Sequence, residues 1–108
     1  MGGSGASLGR RRSGGAAGRF DDGRIVAGTS SMIGREYSSP EAIVSTLEAS
    51  DYDVISTSTT PLGRDTTGTI AVMDATASDG VVTAISWSGN ASDGYRVTRT
   101  RNYDEDEY

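Results

Sequence analysis

Apolar and polar positions alternate along the second half of the chain, and that alternation predicts strands. In Thr67-Gly68-Thr69-Ile70-Ala71-Val72-Met73, Ile70 and Val72 fall on one side of an extended segment. Val81 to Trp87 is a second such run, rich in β-branched residues, and Gly94 to Arg101 alternates again. Asp51 to Thr59 reads as a further strand after a short turn. The punctuation fits an antiparallel order. Pro61 and Gly63 predict a loop over Thr60–Asp65, Asp79-Gly80 is a tight-turn pair, and Asn90 to Gly94 is another turn.

One segment has helical spacing instead. Ser39-Pro40-Glu41 places a capping residue before a proline at the first helical position, with an acid in the first turn. Ile43, Val44 and Leu47 then share one face, and the pattern fades near Ala49–Ser50. A helix of about three turns is marginal alone and needs a sheet to lie on. The reading is therefore an α+β domain over residues 24–103. One short helix packs on a four-stranded antiparallel β-meander, and a short fifth strand at Ile25–Val26 is a further option. Thr29 to Tyr37 reads as irregular. Met32, Ile33 and Leu62 read as satellite core rather than as docking points.

Composition changes the picture at both ends. Residues 1–23 are dominated by Gly, Ser, Ala and Arg, a mixture that buries too little to offset its ordering entropy and predicts a disordered leader. Residues 104–108 predict a solvated acidic tail. Residues 1–24 hold five Arg against two Asp, a net of +3, whereas residues 25–108 hold five Arg against 13 acids, a net of −8. Leu, Ile, Val and Phe number only 17 of 108, so the core is thin.

Absences decide most of the chemistry. The chain has no Cys, no His and no Lys. Disulfides, thiolate metal sites, thiol nucleophiles and every Ser–His arrangement are excluded. Asp51 and Asp53 could share a side of a strand and meet Mg²⁺, but a solvated strand start accounts for them. The glycines of the leader lack the strand, helix and Lys of a phosphate loop. No secretory leader or membrane span is evident, so the expected location is the cytoplasm. The expectation is a non-enzymatic protein without a cofactor or metal.

Two binding surfaces remain. The first is a protein-docking surface on the edge at Tyr95–Arg101, on the loop Thr60–Asp65, or on both. Its residues would be Arg64, Trp87, Tyr95, Arg96, Arg99, Arg101 and Tyr103. Strict alternation sets Arg96 with Thr98 and Thr100, and sets Arg99 and Arg101 with Tyr95, Val97 and Tyr103, so a single Arg row requires a bulge. The second is a nucleic-acid surface, formed by Arg10, Arg11, Arg12 and Arg19 of the leader with the Arg/Tyr strand at 95–103. The acidic body opposes phosphates at long range, which favours the protein partner.

The start Met1-Gly2-Gly3-Ser4-Gly5-Ala6-Ser7 resembles the Gly/Ser leaders of small proteins encoded by tailed phages and prophages. That family pattern usually has a basic residue where Ser4 stands, whereas here the Arg residues come at 10 to 12. The resemblance implies a mobile-element origin, with a role in host takeover, inhibition of a host defence or virion assembly inside a bacterial host. It assigns no functional residues.

Overall fold

The computed structural model describes residues 20–108. Its elements are β1 (Glu36–Tyr37), α1 (Pro40–Ala49), β2 (Tyr52–Leu62), β3 (Asp65–Asp74), β4 (Val81–Asn90) and β5 (Gly94–Asp104). All five strands join one antiparallel sheet in the order β1-β5-β4-β3-β2. The expected α+β architecture is present, with α1 on one face of the meander.

α1 forms where its local signals place it. Ser39 Oγ accepts from the Ala42 amide at 3.0 Å, and Pro40 opens the first turn. Ile43 and Leu47 are buried against Ile70 and Val72 of β3, Ile85 and Trp87 of β4, and Val97 of β5. Each such side chain contributes about 1.5–3 kcal/mol. Met32 also joins this core, whereas Ile33 and Leu62 are exposed.

The fifth strand lies elsewhere than expected. Ile25–Val26 is not in the sheet, because the Val26 amide donates to Ser50 Oγ at 3.1 Å instead of joining a ladder. Glu36 and Tyr37 form the strand instead, opposite Arg96 and Tyr95. The loop is also shorter than expected. Leu62 pairs with Asp65, so the turn is only Gly63-Arg64, with Gly63 at φ 64°. Pro61 stays within β2 because an outermost strand tolerates a missing amide.

Both ends of the domain extend past their expected limits. The Asp21 amide donates to Glu36 O at 2.9 Å, and the Gly23 amide donates to Thr46 Oγ1 at 2.8 Å. Residues 20–23 are therefore held on the domain; the rest of the expected leader lies outside the described residues. The expected solvated tail forms a 3-10 turn at Glu105–Glu107, capped by Asp104 and Glu107. The Glu105 amide donates to Gly80 O, and the Tyr108 ring rests 5.7 Å from that of Tyr103.

Candidate functional site

Two surfaces carry the features that a partner could use. The first is β2. It pairs with β3 alone, so its outer edge has no strand beside it among the described residues. Every residue from Ile55 to Arg64 is exposed. The register shifts between Val54 and Ser56, which leaves Ile55 as an extra, unpaired residue. From Ser56 to Leu62 the pairing with β3 is uninterrupted. A long outer strand with unpaired amides and carbonyls is a template for another chain.

Beside this edge lies a groove of about 290 Å³ between the first half of α1 and β2. Pro40 and Val44 form its helical wall, and Ile70 and Trp87 are its floor. Thr57 and Thr59 are on the helix side because they pair with Ile70 and Gly68, and both are exposed at the rim. Among the described residues, Glu41 is the only charged one in the lining. The Trp87 side chain is buried, and its Nε1–H has no hydrogen-bond partner among the described residues.

The second surface is the sheet face opposite α1. Ser86 pairs with Arg99 but Trp87 pairs with Val97, so Thr98 is an extra residue in β5. Its hydroxyl donates to Ser86 O at 3.2 Å. This bulge changes the parity of the strand. Arg96, Arg99 and Arg101 pair with Ser88, Ser86 and Ala84, all of one parity, and therefore share one face with Tyr103. Arg96 meets Glu36 at 2.6 Å. Arg99 and Arg101 have no ion pair among the described residues, and the Arg101 guanidinium sits 5.0 Å from the Tyr103 ring centroid. Hydroxyls of Thr67, Thr69, Ser86 and Ser88 continue this face inward.

The residues expected to dock a partner thus separate. Arg96, Arg99, Arg101 and Tyr103 come together. Trp87 does not join them, since it is buried on the helix side as core. Tyr95 is half-buried on that same side, with its ring edge-on to Trp87 at 5.6 Å. Arg64 is exposed in the β2–β3 turn, beyond the groove. The edge expected at Tyr95–Arg101 is occupied at its start, where β1 pairs with Tyr95 and Arg96 and the Gly34 amide donates to Val97 O at 2.8 Å. Arg10, Arg11, Arg12 and Arg19 lie outside the described residues. The groove was not foreseen, because its lining comes from four separate stretches of chain; only the combination of a capped helix and a neighbouring strand could have hinted at it.

Among the described residues, no three His, Cys, Asp or Glu side chains gather as a metal site, and no helix is long and apolar enough to cross a membrane. No protein-family model, curated protein or solved structure matches the chain.

Proposed function

We propose that this chain is a non-catalytic protein-binding module that accepts an extended segment of a partner along β2. The long, exposed outer edge of β2 carries the reading. In strand addition, main-chain hydrogen bonds supply affinity and side-chain pockets supply specificity, and the edge has a groove directly beside it. The chain's lack of His, Cys and Lys supports a binding role over a catalytic one. Action on a host or viral protein in a bacterial cytoplasm follows from the leader's resemblance and forms part of the same proposal.

A second reading has its own observation. Arg96, Arg99 and Arg101 share one face with Tyr103, an arrangement suited to a phosphate backbone. The net −8 of residues 25–108 weighs against it, since long-range repulsion lowers the local concentration of a polyanion.

Amide-resolved NMR titrations of the full chain separate the two. Extended Thr/Ser-rich peptides should perturb amides 55–62, and single-stranded DNA should leave 96–103 unmoved at moderate salt. DNA-induced shifts confined to 96–103, with affinity falling steeply as salt rises, would replace the first reading by the second.

A further inference from the structure

Strand addition at β2 leaves open which segment is chosen, and the groove bears on that choice. A strand laid beside β2 continues the pleat, so its residues opposite Thr57 and Thr59 face the helix side. From such a residue to Ile70 is two strand spacings, about 10 Å between backbones. A side chain as short as Ser or Ala stops at the threonines. A Leu or Met reaches over the threonine rim into the near end of the groove, because Thr57 and Thr59 are themselves short. At about 290 Å³ the space lies just under the range of drug-sized ligand sites, and it suits one side chain. Its floor, Ile70 and Trp87, is apolar, and its helical wall combines Pro40 and Val44 with Glu41 and Ser45.

The charge at the mouth has a definite sign. Glu41 contributes a full negative charge, whereas the start of α1 contributes about half a positive one, already met by the Ser39 cap. Among the described residues, no basic one lines the groove. The surrounding body is acidic as well, at −8 over residues 25–108.

Resting on the strand-addition reading, we infer that the accepted segment of the partner protein places one aliphatic side chain in the α1–β2 groove, with an Arg or Lys two residues along, on the same face, toward Glu41. The groove thereby selects a short apolar-basic sequence from among extended segments.

Trp87 is the only tryptophan of the chain and forms the groove floor, so its fluorescence reports occupancy. The full-length chain is titrated with three eight-residue Thr/Ser peptides that differ at two central positions on one face, separated by a Thr: Leu-Thr-Arg, Ser-Thr-Arg and Leu-Thr-Glu. The Leu-Thr-Arg peptide should shift the emission at the lowest concentration. Replacing Leu by Ser should weaken binding ten-fold or more. Replacing Arg by Glu should weaken it about two- to five-fold, as expected of an exposed ion pair. Glu41→Gln alters an exposed helix position and should erase the Arg-over-Glu preference while keeping the Leu preference. Val44→Asp should abolish the Leu preference. Equal binding of the Leu and Ser peptides, with amides 55–62 still perturbed, overturns the groove and leaves strand addition standing. Failure of all three to perturb those amides overturns strand addition itself.

Discussion

Gly68 and Trp87 are opposite each other in β3 and β4, and the indole occupies the place where a side chain on residue 68 would stand. A Cβ there would come within 2.6 Å of Trp87 Cε2 and closer still to the Ser58 carbonyl oxygen, which is backbone and cannot swing away. Gly68→Ala should therefore cost about 1–3 kcal/mol through overpacking. Denaturant unfolding followed by Trp87 emission measures it. A midpoint equal to that of the parent chain would show that the indole relocates freely.

Tyr37 gives the domain a limit at high pH. Its hydroxyl is buried without a hydrogen-bond partner among the described residues. Burial pushes its pKa up from 10.0 to about 12; Asp21 and, more weakly, Asp22 add to the rise, while Arg35 opposes it. The folded state thus keeps this proton after the unfolded chain has released it. The stability linked to Tyr37 is intact below pH 10 and is lost between about 10 and 12, by at most about 1.4 kcal/mol per pH unit. Tyr37→Phe should be neutral or stabilising at pH 7, since it removes an unpaired buried hydroxyl, and should flatten the alkaline decline. Thermal melts of both proteins across pH 8 to 12 check the slope; parallel curves would refute it.

Thr46 ties the N-terminal segment to the helix. Its hydroxyl donates to Ala42 O at 2.8 Å and accepts from the Gly23 amide at 2.8 Å. Thr46→Val keeps the shape but leaves that amide without an acceptor, at a cost of about 1–3 kcal/mol. The loss should be local first. Hydrogen exchange at residues 21–26 should accelerate well before that of β3 and β4, and uniform acceleration would contradict this order.

Pro61 guards the outer strand. It interrupts the row of amides that β2 offers to a neighbour. Pro61→Thr should leave the monomer's fold intact and increase self-association, seen as a concentration-dependent rise in light-scattering mass. An unchanged mass up to millimolar concentration would show that the bulge at Ile55 already suffices.

Much of this architecture was legible locally, and its limits were not. α1 could be read because cap, proline and apolar spacing all act within one stretch of about ten residues. β3 and β4 could be read because they contribute inward residues at period two, such as Ile70 with Val72 and Ile85 with Trp87. β1 could not, since two residues have no period and Glu36–Tyr37 become a strand only through pairing with β5. Ile25–Val26 had the better strand composition, but the Ser50 hydroxyl claims the Val26 amide. The Arg row shows the limit most clearly. Alternation could state that a bulge was required, while its position at Thr98 depends on the register against Ser86 and Trp87. Trp87 lies near the Arg residues in the pairing but faces the other way.

The extra residue at Thr98 acts as a sorting device for charge. Pair Thr98 in a regular ladder instead, and strict alternation would split the three arginines between the two faces of the sheet, with Arg99 and Arg101 turned toward the helix. Composition, isoelectric point and net charge would hardly change, yet the cationic face would be gone. In a chain of this kind the polarity of a surface depends on where one strand carries its bulge, so a change that moves the bulge away from Thr98 would matter more than most exchanges of side chain.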